Sequence, residues 1–281
     1  MTGKRIAFQG APGAYSDLAC RAVYPDYDTV PCMAFEDVFA AVRDGQAELA
    51  MIPIENSTAG RVADVHHLLP EAGLHIIAEH YQPIVHHLLA LPGVRLEDIT
   101  HAESHVQALA QCRKWLRDRN IQPVVRADTA GSAEDVAKRG DRHVAAIASD
   151  LAGKIYGLES LATDMADGPQ NTTRFFIVSK EDKRATLGTP SMVTLVFEVR
   201  SIPAALYKAL GGFASNGINI TKLESYPMID GSFREAAFRM DVEGHPDDTP
   251  LKLALEELAF FAQDVKILGV YPAHEFRRNA G

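Results

Sequence analysis

Cysteine is scarce: Cys20, Cys32 and Cys112 are the only three, with no Cys-x-x-Cys spacing among them. An odd count without that spacing excludes a full disulfide framework and fits free thiols in a reducing compartment. No apolar run is long enough to cross a bilayer, and Met1 to Gln9 carries no apolar leader, so no membrane partner and a cytoplasmic location are expected. Lys/Arg runs are missing too. The 37 acidic residues outnumber the 28 basic ones, for a formal net charge of -9. Such a surface repels phosphate backbones, which excludes nucleic acid as a partner but not a small anion held in a locally favourable site. The single tryptophan, Trp115, reads as helix packing. No His-Glu-x-x-His and no clustered Cys/His spacing points to a metal: His66-His67 and His86-His87 are adjacent pairs, and a strand-to-helix break separates His101 from His105. Gly10-Ala-Pro-Gly-Ala-Tyr lacks both the P-loop Lys-Ser/Thr and the three-glycine dinucleotide fingerprint.

What is present alternates between strand and helix. Arg5–Gln9, Leu49–Ile54, Val124–Ala127 and Val144–Ala148 are short apolar runs of the kind found in parallel strands covered on both faces. Asp17–Val23 reads as helix, and Val106, Leu109, Ala110 and Leu116 stripe another. The alternation argues for an α/β fold with mainly parallel sheets. The stretch from about Tyr81 to Gly157 carries its own elements and reads as an inserted lobe, with the chain returning at Thr172–Val178. Lys180–Thr189 is a polar linker ending before Pro190. Beyond it the pattern predicts strand Met192–Val199, a helix opened by Pro203 and striped by Leu206, Leu210 and Phe213, strands Asn219–Met228 and Glu235–Val242, a helix striped by Leu251, Leu255 and Leu258, and strand Val265–Tyr271. That βαββαβ order is ferredoxin-like.

Several predicted strands run into small polar residues just before a helix: Ser16 after Gly10–Gly13, Asn56 and Ser57 after Met51–Ile54, Ser104 before His105, and Thr129 after Val124–Ala127. Each is either a helix N-cap or part of an anion site, because helix N-termini beyond strand ends offer free N–H groups. Read by itself, this pattern gives only a small-anion site.

The motifs Gly10-Ala-Pro-Gly-Ala-Tyr-Ser16, Pro53-Ile-Glu-Asn-Ser57, Ser104-His-Val-Gln-Ala108, Asp128-Thr-Ala130, Ala145-Ala-Ile-Ala-Ser149 and Asn171-Thr-Thr-Arg-Phe175 together resemble, in order, those of prephenate dehydratases. Ala205-Leu-Tyr207 and Asn219-Ile-Thr-Lys-Leu-Glu-Ser225 resemble the ACT domain such enzymes carry. The resemblance covers nearly the whole chain, without a chorismate-mutase-like segment, and so implies the monofunctional enzyme. It implies a two-lobed, type II periplasmic-binding-protein-like catalytic domain over residues 1–180 (one lobe about 1–80 with 158–180, the other about 81–157), then an ACT regulatory domain over 190–281. The implied activity is conversion of prephenate to phenylpyruvate, inhibited by L-phenylalanine, in a homodimer or homotetramer. Arogenate dehydratase and a non-catalytic amino-acid-sensing protein are the alternatives.

By the same resemblance Thr173 is the catalytic hydroxyl, and Ser16, Asn56, Ser57, Ser104, Gln107 and Thr129 position substrate. Arg174 either pairs with a carboxylate or forms a structural ion pair beside the cleft. Phe175 is substrate-binding or core, and Glu55 orients its neighbours. Ala204, Ala205, Leu206, Asn219, Leu223, Glu224 and Ser225 line the effector site, with Asn219 either a ligand contact or a turn residue. Two departures stand out: Ala204 where the family has glycine, and Tyr226 where it has arginine. Aromatisation drives the elimination, so no metal or redox cofactor is required. Activity is therefore expected to survive exhaustive chelation; a loss with EDTA that one metal restores would overturn this.

Overall fold

The structure, a computed structural model, describes residues 3–168, 171–199, 202–227 and 236–279. Met1, Thr2, Met228 and Glu235, each at the end of an expected segment, lie outside them. The chain divides into two compact units, 1–65 with 80–175 and 66–79 with 176–281. This departs from the expected boundaries, since 66–79 groups with the C-terminal part and not with the first lobe.

The first unit opens with β1 (Arg5–Gln9), α1 (Tyr15–Val23), β2 (Asp28–Cys32), α2 (Phe35–Arg43), β3 (Leu49–Asn56) and β4 (Gly60–Arg61). β1 pairs parallel with β2 and with β3. Its Ile6, Ala7 and Phe8 are fully buried, which explains the unbroken apolar run. β3 runs two residues past the expected Ile54 because Glu55 and Asn56 pair with β4 across a tight turn. The chain continues through α3 (Ala63–Glu71) and β5 (His75–Pro83), and the division between units falls inside both.

A second sheet follows, built from β6 (His87–Ala90), β7 (His101–His105), α4 (Val106–Gln111), α5 (Arg113–Arg117), β8 (Gln122–Arg126), α6 (Thr129–Arg139), β9 (Val144–Ala148), α7 (Asp150–Tyr156) and β10 (Glu159–Thr163). The strand order is β10-β6-β9-β7-β8. β7 is parallel to β8 and β9, whereas β6 is antiparallel to β9 and β10, so this sheet is mixed where mainly parallel sheets were expected. Because β10 belongs to it, the second lobe runs past residue 157. The helix expected across 106–116 breaks at Cys112, where the Asp167 carboxylate accepts from Lys114 N (2.6 Å) and Trp115 N (3.1 Å) and starts α5 afresh.

The second unit takes in the later part of β11 (Thr172–Ser179), then β12 (Ser191–Val199), α8 (Ala205–Ser215), β13 (Ile220–Pro227), β14 (Ala236–Glu243), α9 (Thr249–Phe261), β15 (Ala262–Pro272) and α10 (Phe276–Asn279). The order β13-β14-β12-β15 is antiparallel throughout, the expected βαββαβ arrangement. Val193, Leu195, Phe197, Met240 and Val242 pack with Leu251 and Leu258 of α9. The opposite face is polar in sequence but also buried: Thr194 Oγ1 donates to Asp241 (2.9 Å) and lies 2.8 Å from the Tyr271 hydroxyl. β15 meets β5 at Gly269 and Ile76, where a Cβ on Gly269 would stand 2.2 Å from the Ile76 carbonyl oxygen. The fully buried Glu79 is clamped by Arg277 through Nε (2.6 Å) and Nη2 (2.9 Å).

Within the first unit, Glu103 of β7 accepts hydrogen bonds from two arginines. Arg126 reaches it through Nε (3.0 Å) and Nη2 (2.8 Å), Arg139 through Nη1 (3.0 Å) and Nη2 (2.7 Å). The Arg126 hydrogen bonds, reinforced by Arg139 and opposed by burial, bring its pKa from 4.5 down to about 2. A folded-state pKa below the unfolded one gives stability that is complete above pH 4.5 and lost as pH falls from there toward 2. Glu103→Gln is therefore expected to cost about 2 kcal/mol at neutral pH, a value moderated because both arginines are partly solvated. Urea titrations of the two proteins at neutral pH and near pH 3 measure this; a gap that does not narrow in acid would show the pairing to be unimportant.

Candidate functional site

A cavity of about 200 Å³ lies in the first unit beyond the carboxyl ends of β3 and β7. Ser16 and Tyr15 reach it from the first turn of α1, Asn56 from the end of β3, Gln107 from α4, Thr129 from the start of α6, and Thr173 and Phe175 from β11. Six residues expected from the sequence are thus brought together: Ser16, Asn56, Gln107, Thr129, Thr173 and Phe175.

Four others lie elsewhere, for a reason common to most of them. Side chains alternate along a strand, so when Thr173 and Phe175 face the cavity, Arg174 faces away. Arg174 is 3% exposed and its Nη1 sits 3.0 Å from Glu55 Oε1, the structural ion pair. Glu55 is likewise turned away beside Asn56. Ser104 is fully buried and donates to the Ile147 carbonyl (2.6 Å). Ser57 closes a clamp on β11: its N–H donates to Thr172 O (2.9 Å), and its hydroxyl accepts from Thr172 N (3.0 Å).

The sequence reading missed Tyr15, His86, His105, Gln111 and Asn171, all on the cavity wall. Two of these had a signal. Asn171 is two residues before Thr173, on the same side of the chain, and Gln111 is four after Gln107, on the same face of α4. Nothing local marks His86.

These side chains form one hydrogen-bonded chain whose direction is set by the backbone. Thr58 N (3.0 Å) and Ala59 N (2.8 Å) both donate to Asn56 Oδ1. A backbone N–H cannot reverse its role, so the amide oxygen of Asn56 faces these two donors and its Nδ2 faces the other way. Nδ2 donates to Thr173 Oγ1 (2.9 Å) and Asn171 Oδ1 (2.6 Å). Asn171 must then present Nδ2 to Gln111 Oε1 (2.9 Å), and Gln111 Nε2 donates to Thr58 Oγ1 (2.6 Å). Thr58 closes the loop by donating to Asn56 Oδ1 (2.8 Å). Thr173 Oγ1 is therefore an acceptor from Asn56, and its own proton has no acceptor among the described residues.

No Lys, Arg, Asp or Glu lines the cavity among the described residues. Burial pushes the Tyr15 hydroxyl well above its ordinary pKa and lowers that of His86, so both stay neutral at pH 7. The first turns of α1 and α6 border the cavity too, and each carries a carboxylate: Asp17 in α1 accepts from Gly13 N (2.9 Å), and Asp128 caps α6 by accepting from Gly131 N (2.6 Å). The site offers a small ligand hydrogen-bonding side chains and one uncommitted hydroxyl proton.

In the second unit the expected effector residues separate. Ala204 caps α8 in the left-handed conformation (φ 63°), which costs an L-residue about 1–2 kcal/mol and which the family's glycine would adopt freely. It also delays the helix: α8 begins at Ala205, and Pro203 lies in the preceding turn. Ala205 is buried, and Leu206 packs on the core. Asn219 is exposed, its carbonyl accepting from Glu243 N (3.1 Å). Leu223 and Ser225 are exposed on one face of β13, while Glu224 points to the other. There Lys222 Nζ (3.1 Å), Arg239 Nη2 (3.3 Å) and His66 Nε2 (3.5 Å) surround the Glu224 carboxylate. Tyr226 is buried edge-on against His67.

An α/β unit of two sheets, with a polar cavity at its strand ends, has the form of a binding or catalytic protein for a small molecule. The comparisons narrow the class. The prephenate dehydratase family model matches residues 6–183. A bifunctional N-acyl-homoserine lactone acylase/prephenate dehydratase of Komagataeibacter europaeus is 53% identical over 99% of both chains. An arogenate dehydratase/prephenate dehydratase of Arabidopsis thaliana is 41% identical over 95% of this chain and 72% of its own. The crystal structure of a prephenate dehydratase from Arthrobacter aurescens in complex with L-Phe superposes with a TM-score of 0.87 at 32% identity, covering 96% of this chain and 90% of that one. The chain belongs to the prephenate dehydratase family.

Proposed function

We propose that the cavity takes prephenate and converts it to phenylpyruvate, carbon dioxide and water. The bond from the ring to its carboxylate breaks, that electron pair enters the ring, and the ring hydroxyl leaves as a proton reaches its oxygen. The observation that carries this reading is the Thr173 hydroxyl, which accepts from Asn56 and keeps its own proton for the departing oxygen. Ser16, Gln107 and Thr129 on the cavity wall supply polar contacts for the two carboxylates of the substrate.

Two other substrates belong in a parallel assay. Arogenate stands in the name of the Arabidopsis relative, and an acyl-homoserine lactone in that of the Komagataeibacter relative. Acyl transfer needs a base to take a nucleophile's proton. Thr173 Oγ1 instead meets a donor, which favours the elimination.

The regulatory reading also rests on the family. L-phenylalanine is the proposed effector, bound by an ACT domain formed by the βαββαβ segment of a cytoplasmic homodimer or homotetramer. The Arthrobacter relative crystallised with L-Phe supports it. So does the exposure of Asn219, Leu223 and Ser225. Glu224, held by three basic groups on the other face, orders β13 in this reading and leaves ligand contact to its neighbours.

Two measurements test these readings. Thr173→Ala is expected to lower kcat on prephenate by roughly a hundredfold or more. Asn56→Asp is expected to do nearly as much damage: it keeps an oxygen for Thr58 N and Ala59 N, but its second oxygen captures the Thr173 proton. Folded variants that turn over at the wild-type rate would remove Thr173 from the mechanism. For the effector, calorimetry on the intact protein should show L-phenylalanine binding that Asn219→Ala weakens, with inhibition of the dehydratase; no heat of binding would end the sensing role. Deleting 190–281 is a poor substitute, because it strips β15 from Ile76 and Arg277 from the buried Glu79.

A further inference from the structure

We propose that His86 is a positioning residue, which holds the Gln111 amide in place through a proton fixed on Nε2 and so keeps Asn171 and Thr58, the side chains that bracket Asn56 beside Thr173, in register for the substrate. The inference rests on the dehydratase reading above and extends it to a residue that no motif marks.

The hydrogen-bonded chain can be followed back from Thr173. A side-chain amide has two orientations of similar shape, and a flip exchanges donor for acceptor at every contact. Asn56 is fixed by two backbone N–H groups. Gln111 has no such anchor: its partners are the side chains of Asn171, Thr58 and His86. His86 Nε2 lies 2.6 Å from Gln111 Oε1. That oxygen also accepts from Asn171, so the imidazole proton must be on Nε2 and Nδ1 must be bare. The Tyr15 hydroxyl lies 2.8 Å from Nδ1 and 3.0 Å from the Val85 carbonyl oxygen; with Nδ1 bare, its single proton goes to the shorter contact, because two lone pairs would otherwise face each other there. The two rings meet edge to face at 5.7 Å and 74°, which locks the imidazole plane. Burial keeps His86 neutral, in agreement with one proton per ring. Both ring nitrogens are thus spent on protein partners, so His86 acts through Gln111 and not on the substrate.

Were His86 unable to donate, Gln111 Oε1 would keep only Asn171, and the amide would hold Thr58 less firmly. Asn56 would still take its orientation from two backbone N–H groups, but Thr58 and Asn171, which bracket its amide, would be looser, and the Asn56–Thr173 pair would spend part of its time out of place. A fault of this kind lowers the rate at saturation more than it lowers binding.

The test has two arms on the intact protein. Nitrogen NMR of labelled histidine reads the tautomer without any assay: His86 is expected with Nε2 protonated and Nδ1 bare across the range of about pH 6 to 8 where ordinary histidines titrate. In kinetics with prephenate, His86→Leu is expected to lower kcat about ten- to a hundredfold, with KM within about threefold. His86→Gln, whose amide N–H can replace the Nε2 donor, should recover most of that loss. A proton found on Nδ1, a Leu variant with wild-type kcat, or Leu and Gln variants equally impaired would each overturn the proposal. If the Leu variant does not fold, the tautomer decides. If the wild-type protein leaves prephenate untouched, the dehydratase reading fails, and the NMR spectrum still decides separately whether His86 donates to Gln111.

Discussion

Two backbone N–H groups, those of Thr58 and Ala59, set the polarity of everything in the cavity. Both converge on one amide oxygen of Asn56, and neither can exchange its role. The tight turn from β3 to β4 delivers them, so the direction of the hydrogen bond to Thr173 is decided by main-chain geometry and then passed from side chain to side chain. A network anchored in this way has one proton arrangement. The same network held only by side chains would have two, and the hydroxyl would be donor in one and acceptor in the other.

The period-two alternation of strands divides the labour. On β11, Thr173 and Phe175 enter the cavity while Arg174 is sent behind it. On β3, Asn56 enters while Glu55 is sent behind it to meet Arg174. A full charge on either inward residue would dominate the small, buried space. Moving both charges to the outer layer leaves a lining without Lys, Arg, Asp or Glu among the described residues, and so without a fixed cation that would grip reactant and product alike.

That division explains what could be read in advance. Residue type at strand ends and helix starts picked out Ser16, Asn56 and Thr129, because anion binding needs small polar groups there, and the family resemblance added Gln107 and Thr173. It also drew in Ser57, Ser104 and Arg174, which have the right chemistry one step out of phase; identity was legible and facing was not. His86 was invisible, since its role comes from Tyr15 and Gln111, 71 and 25 residues away along the chain. The βαββαβ order was readable from alternation and stripes because those signals are local. The assignment of 66–79 to the second unit was not, for it depends on pairing between Ile76 and Gly269 that leaves no local trace.

The clamp on Glu79 has a consequence for how the protein is made. Its partner Arg277 is 198 residues further along, so on the ribosome the carboxylate is synthesised long before the guanidinium that neutralises it. Until then β5 lacks its β15 neighbour, and Glu79 can stay charged only in water. The second unit therefore cannot close in step with synthesis, and its completion waits on contacts of high sequence separation, the slow kind. A nascent chain stalled before residue 277 would present that unfinished strand to its surroundings, which makes 66–79 the stretch where a chaperone has most to shield.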